Sequence, residues 1–551
     1  MVIVAALSHI QLPCLIAGVV DAINGVTKTK LTAATSRLSL DPDDAPENTH
    51  STVPSRDSIR LFFLIAALND LPVLSADMKN AHLSAPIKEK CCVVANEELA
   101  LNSDWNGKPC KVARALCGPP VAGASFRSYL AKHLTKLGCI PCKADRDAHP
   151  RPFVRDGEKL HQMAVCHVDD VLACGVRPKD QMDEIERKFK LKKGSVQEPD
   201  THLGANVEKV NINDNDGSPK VCWGISPTAC AAKAIAETER VVGTGKCGHM
   251  HLPKKSVSTP LATGCRPECD ESRELNDEEQ NYYQSLVGIL RWLAELGRLD
   301  VLHPVSLMSR CLAQARIGHM NQVLRTFAHL KGCGKSKIVM DPSRPVVDES
   351  RFQKCDWSEH HPDAKELTDP PDEPEPRGRP VKASCFVDAD HAGCRITRRS
   401  HTGTLIFCNG SPILWFSERQ TTVESSTFGG EIVAMRIAVE MIEGLRHKLG
   451  MMGAPVDGPA DVHCDNESVV KNTSRPESPL KKKHQAVSWH GICEACAGSV
   501  LRTAKEDTKT NVSDLFTKSL DAGRLKELSS RCMWTDCVKR NKEITNNQWG
   551  C

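Results

Sequence analysis

The chain has 551 residues, of which 40% are hydrophobic and 26% charged. That balance suits a globular protein that buries real cores, and the length suggests about three or four domains. The 72 basic residues nearly cancel the 69 acidic ones, for a net charge of +3. No global basic excess argues for nucleic acid, so any basic surface must be local.

Met1–Val20 is apolar, but His9, Gln11 and Pro13 interrupt it and no basic run precedes it. It reads neither as a membrane span nor as a targeting signal. Asp41–Asn48 is a turn-rich polar loop, and residues 1–50 stay unassigned. Apolar residues at helical spacing predict a helix over Asp57–Asn69. In Leu71–Leu83 an apolar strand ends in Asp77. Cys139 and Cys142 have a metal-ligand spacing without a second pair nearby. Met163–Cys174 holds two short apolar runs around Asp169 and Asp170, which predicts a hairpin with both carboxylates at its tip. Two adjacent like charges repel, and a hard divalent cation such as magnesium would relieve that repulsion. A bare Asp-Asp is more often a solvated turn; Asp77, in a similar setting upstream, changes that weighting. Asp180–Lys190 then reads as an amphipathic helix through Met182, Ile185 and Phe189.

Farther along, Tyr282–Leu296 and Met320–Lys331 are helix candidates whose apolar faces core packing explains. Gly332–Ser336 ends like a phosphate-binding loop, but His329 stands where its first glycine is required. Asp356–Pro380 carries six prolines and many acids and reads as a linker. In residues 381–530 the predicted order is a strand ending in Asp388, two strands, a helix with Glu431 near its start, a strand ending in Asp465, and a helix opened by Asp514. Taken singly, each acid is more often a solvated cap or strand-end residue.

Two sets of words carry a resemblance. Ser55–Arg60, Ala66–Asp70, Asp77–Ala81, Ala115–Gly118, Lys143–Asp145 and His167–Asp170 resemble the polymerase of copia-type LTR retrotransposons. Arg398–Gly403, Cys464–Asn466 and Asp514–Lys518 resemble the ribonuclease H of the same elements, and the likeness covers about residues 53–525. The implied fold is α+β and multidomain: a reverse-transcriptase palm, with an antiparallel sheet and helices, a connection region, and a ribonuclease H-like α/β domain. The implied boundaries are 51–210 for the palm, 211–355 for the thumb or connection, 356–380 for the linker, 381–530 for ribonuclease H and 531–551 for a tail.

The resemblance implies two magnesium ions at each of two sites, held by Asp77, Asp169 and Asp170 in the first and by Asp388, Glu431, Asp465 and Asp514 in the second. His82 stands where the family has the aromatic gate beside the incoming sugar. Implied partners are an RNA template, an RNA–DNA hybrid and deoxynucleoside triphosphates, with no membrane. An intracellular element also implies reduced thiols for the 26 cysteines. Lys481, Lys482 and Lys483 read as a solvated run that, beside a ribonuclease H site, would touch hybrid phosphates. His484, His490, Cys493 and Cys496 offer zinc ligands, but a helix would spread them over different faces. The rival reading is a degenerate copy that at most binds nucleic acid: the family's basic fingers strands are not visible in residues 1–50, and Pro119-Pro120 replaces a more polar run.

Overall fold

A computed structural model of the chain describes residues 3–5, 51–87, 92–94, 109–115, 121–214, 217–244, 252–253, 257–366, 373–477, 480 and 483–535. These divide into two compact units. One draws on Met1–Ser58 and Leu71–Pro199, the other on Ile59–Asp70 and Asp200–Cys551.

In the first unit, β1 (Ile3–Ala5), β4 (Pro109–Val112) and β3 (Cys92–Val94) form a small antiparallel sheet in that order. The larger sheet has the order β2-β7-β6-β5, from β2 (Val73–Asp77), β5 (Ala148–Arg155), β6 (Glu158–His167) and β7 (Asp170–Cys174). The β5–β6 turn is Asp156-Gly157, both with positive φ (49° and 85°), the pairing a two-residue hairpin favours. Helices α3 (Val121–Lys136) and α4 (Pro178–Glu186) put Phe126, Leu130, Leu134, Met182 and Ile185 into one core with Ala76, Val171 and Ala173. Side chains alternate along a strand. Asp77 and Asp170, which pair directly across β2 and β7, therefore lie on the sheet face opposite Ala76 and Val171.

The second unit takes in most of α1 (Arg56–Leu68), where the sequence predicted a helix over Asp57–Asn69. Residues 59–68 are buried at every position, so the helix has no single apolar stripe. Phe63 lies 5.5 Å from Trp223, and the Arg60 guanidinium stacks 3.7 Å above Trp415 while donating to the Ile413 carbonyl. A first sheet has the order β17-β11-β10-β9-β8, built from β8 (Thr201–His202), β9 (Ala205–Asn213), β10 (Pro219–Ser226), β11 (Ser336–Met340) and β17 (Trp534–Thr535). Helices α5 (Thr228–Gly243), α6 (Asp277–Glu295), α7 (Leu302–Ser309) and α8 (Ile317–Gly332) accompany it. A capping box of Asn276 and Glu279 starts α6, and Tyr283, Leu286, Leu290 and Leu293 bury its apolar face.

A second, mixed sheet has the order β14-β13-β12-β15-β16, from β12 (Ala383–Asp390), β13 (His401–Cys408), β14 (Ser411–Arg419), β15 (Ala460–Cys464) and β16 (Leu501–Lys505). β12–β15 and β15–β16 are parallel. α9 (Thr427–Met451), α10 (Glu467–Thr473), α11 (Ala486–Ala497), the short α12 (Asp514–Thr517) and α13 (Ala522–Cys532) complete it. The described part of Asp356–Pro380 is no free tether, because Glu366 forks onto Arg446 and Arg379 bonds Asn69 and the Leu68 carbonyl. Regions 211–355 and 381–530 thus share one compact unit. The described cysteines are free thiols, many of them buried, such as Cys166, Cys174, Cys385 and Cys408. Among the described residues no helix is long and apolar enough to cross a membrane.

Two candidate acid sites

The first site sits where β2 meets the β6–β7 hairpin. Asp77 and Asp170 face each other across the ladder, and Asp169 occupies the two-residue turn with Val168. Val168 has φ +53°, a strained state for a β-branched residue. The Met78 amide donates to the Asp169 carbonyl at 2.7 Å, tying the hairpin tip to the end of β2. Burial, then Asp169 and Asp77, raise the Asp170 pKa. One oxygen of Asp77 is buried without a hydrogen-bond partner, and the other meets the Lys192 ammonium. Lys192 reaches it because Lys190–Lys192 runs beside residues 77–79: Lys79 N donates to Lys190 O at 2.7 Å, and Lys192 N to Asp77 O at 2.8 Å. The cationic run Lys190–Lys193 signalled this contact, and sequence reasoning passed it over.

His82 lies on α2 (Ala81–Ser84), entered through Asn80 in the left-handed region that Asn tolerates. Its ring is 5.6 Å from Phe126. Burial lowers its pKa against the opposing pull of Asp169.

The second site gathers acids from four elements. In the parallel pairing Val387 lies opposite Cys464, so Asp388 and Asp465, the next residues, leave adjacent strands at the same end. Ser426 caps α9 by accepting from Gly429 N, and Glu431 follows one turn later. Asp514 opens α12, which approaches β13 at Gly403. A Cβ there would lie 2.9 Å from the Ser513 carbonyl oxygen and 2.7 Å from Thr517 Cγ2, so only glycine admits the approach. Asp388, Glu431 and Asp514 are buried.

Burial raises the Asp388 pKa to about 6, with Lys518 opposing and Asp514 adding to the rise. Burial, then Asp388 and Asp465, push Glu431 well above the carboxylate range. Lys518 Nζ lies 3.3 Å from Asp388 and also pairs with Asp514, while Arg524 reaches Asp514 at 3.3 Å. The spacing of four between Asp514 and Lys518 was the available signal, and sequence reasoning left Lys518 unassigned. Ligand atoms of Glu431, Cys464 and Asp465 lie within 4.8 Å of one another. Four acids against Lys518 and Arg524 form a set short of positive charge, which fits a hard divalent cation.

The structure does not gather the remaining candidates. Lys481 and Lys482 lie outside the described residues, as do Pro119-Pro120 and nearly all of residues 1–50, while Lys483 is exposed. His484 pairs with Glu424 at 3.4 Å, and among the described residues His484, His490, Cys493 and Cys496 form no metal-ligand group. The other convergent set, Asp300, His329 and Cys333, is internally satisfied: Arg298 forks onto both oxygens of Asp300, and His329 Nε2 sits 3.1 Å from one of them.

No protein-family model matches the chain. It is similar to the retrovirus-related Pol polyprotein from transposon RE2 of Arabidopsis thaliana, with 22% identity over 475 residues, 86% of this chain and 28% of that protein. It is likewise similar to the retrovirus-related Pol polyprotein from transposon TNT 1-94 of Nicotiana tabacum, with 23% identity over 472 residues, 85% of this chain and 31% of that protein. The chain thus spans less than a third of the length of these curated relatives. Among solved structures, a foamy viral protease–reverse transcriptase in complex with double-stranded DNA aligns with 84% of this chain and 61% of its own, at 12% identity and a TM-score of 0.41.

Proposed function

With retrovirus-related Pol polyproteins of transposons as its curated relatives, we propose that the chain is the reverse transcriptase–ribonuclease H part of a copia-type Pol polyprotein. On this reading 51–210 is palm-like, 211–355 is the thumb or connection, and 381–530 is the ribonuclease H-like part. The observation that carries the proposal is the convergence of Asp388, Glu431, Asp465 and Asp514 from separate elements onto one end of two parallel strands.

The proposed reaction is hydrolysis of the RNA strand of an RNA–DNA hybrid. Asp388, Glu431, Asp465 and Asp514 would hold divalent cations, magnesium by preference of oxygen ligands. When bound, such ions supply an activated water and neutralise charge on the leaving oxygen. The residues' own part is positional: Thr517 Oγ donates to Asp388, and Lys518 holds Asp388 and Asp514 in register before any ligand enters. The test is cleavage of a labelled hybrid by the full chain with magnesium. Cleavage lost in Asp388→Asn supports the proposal, and no cleavage by the folded wild type refutes it.

Asp77, Asp169 and Asp170 would form the polymerase site, with His82 near the incoming sugar. Primer extension on an RNA template, abolished by Asp169→Asn, tests that half. If a folded chain neither extends nor cleaves, the degenerate-copy reading replaces both.

A further inference from the structure

Beside the second acid site, and sharing Thr517 and Lys518 with it, lies a cavity of about 250 Å³. It opens between the 264–268 segment, the end of α7, the loop after β12 and residues 517–519. Three guanidinium groups line it: Arg266, Arg310 and Arg399. Elsewhere in this unit arginines commonly end on carboxylates, as Arg298 does on Asp300, Arg446 on Glu366 and Arg502 on Asp461. Here, among the described residues, none of the three does. Arg266 donates to the Gly393 carbonyl at 3.2 Å, and Arg310 points an Nη at His401 Nδ1. The two acids in the wall, Glu268 and Asp390, stand beyond ion-pair distance and act only through space, Glu268 on Arg310 and Asp390 on both Arg266 and Arg310; Glu268 accepts from the Arg395 amide at 2.9 Å.

Arg310 is held in place by a relay. His401 Nδ1 accepts from Arg310, which fixes the imidazole as the neutral tautomer with its proton on Nε2. That Nε2 donates to Ser417 Oγ at 2.8 Å, and Ser417 donates to the Phe516 carbonyl at 2.7 Å. Burial, then His303 and Arg310, keep His401 well below its ordinary pKa, so the imidazole does not become a competing cation. Arg310 Nε is buried without an acceptor. A buried donor left unpaired is costly. Arg419 adds a fourth cation nearby, and its Nη1 bonds to the Cys394 sulfur at 3.8 Å.

We propose that this cavity is an anion site that takes a phosphate group, bound by Arg310 and Arg266 with Arg399 at its rim. Planar guanidiniums match phosphate oxygens in fork geometry and carry their charge at every working pH. The choice of phosphate over carboxylate rests on the ribonuclease H reading, since that reaction brings phosphodiesters to the neighbouring acids. The source is either a backbone phosphate of bound nucleic acid or a free phosphate ion.

The test uses the full chain in EDTA, so that no cleavage enters the readout. Inorganic phosphate is titrated calorimetrically at constant ionic strength against chloride. Wild type should bind it saturably, and Arg310→Gln should weaken binding by about tenfold or more. Arg266→Gln, which alters an exposed residue and keeps the fold whatever the first variant does, should weaken it in the same direction. A short RNA–DNA hybrid is then added. Displacement of phosphate identifies the backbone as its source, and simultaneous binding identifies the free ion. No saturable phosphate binding by wild type, or equal binding by both variants, overturns the proposal. Because binding is read without catalysis, a chain that cleaves no hybrid can still pass, and an active chain can still fail.

Discussion

The two acid sites solve one electrostatic problem in different ways. The first is assembled from neighbouring strands at a hairpin tip, and its counter-charge is Lys192, a side chain 47% exposed on an Asp77 that is 31% exposed. The second is assembled from four separate elements and buries three of its acids, with Lys518 wedged among them. Water screens the first arrangement and leaves the second dependent on the fold. A site of the first kind can lose its partner cheaply, whereas the second couples every acid to core packing.

The sharpest break of this contrast is Asp388→Asn. If the buried acids do the ligating, hybrid cleavage by the full chain should fall on the order of 1,000-fold or more, since a bound cation supplies several kcal/mol of transition-state stabilisation. Circular dichroism should not change. Asp514→Asn should cost less, because its oxygens already answer to Lys518 and Arg524.

Gly403→Val tests the packing half. The new side chain would drive into the Ser513 carbonyl and Thr517, so stability should fall by about 1–3 kcal/mol, read by denaturant unfolding. Cleavage should fall with it, while primer extension by the first site, if present, should not.

The cost of burial also shows in pH. Burial alone would lower the His329 pKa, but the hydrogen bond to Asp300, then Cys333, raises it to about 9. The folded value exceeds the unfolded one of 6.5, so this contribution is complete below pH 6.5 and is lost as pH rises through 9. Melting temperature should drop by about a few degrees over that window, and His329→Gln should flatten the drop.

The smallest effect is expected at the hairpin tip. Val168→Gly relieves a positive φ and should leave stability unchanged or raise it by up to about 1 kcal/mol, despite the flexibility glycine adds to the unfolded chain. A large loss would mean that the tip is packed far more tightly than its half-buried neighbours indicate.

The strands and helices that carry the acids were legible because each acid ends an apolar run or follows a cap. The hairpin around Asp169 and Asp170 and the helix over Glu431 stand where their patterns put them, and the strand through Asp388 is there but runs on to Asp390. Other features were not read. Asp156-Gly157 is a plain hairpin signal that went unused, and β16, Leu501–Lys505, alternates too weakly to announce itself. Lys192 and Lys518 gain meaning only from the carboxylates that folding brings to them. The partner of α1 was hidden for a different reason: a helix apolar on all sides declares that it is buried without declaring against what.

That helix has a consequence for how the protein is made. Ile59–Asp70 leaves the ribosome well before the rest of its unit, which begins at Asp200. At about 5–20 residues per second, the helix waits on the order of ten seconds before its first partners emerge, and longer for Trp415. During that interval its apolar surface, later buried at every position, is a binding site for chaperones and for other nascent chains. Soluble yield from a cell-free translation should therefore depend on chaperone supply, and replacing Phe62 and Phe63 should change that dependence more than any substitution at either acid site.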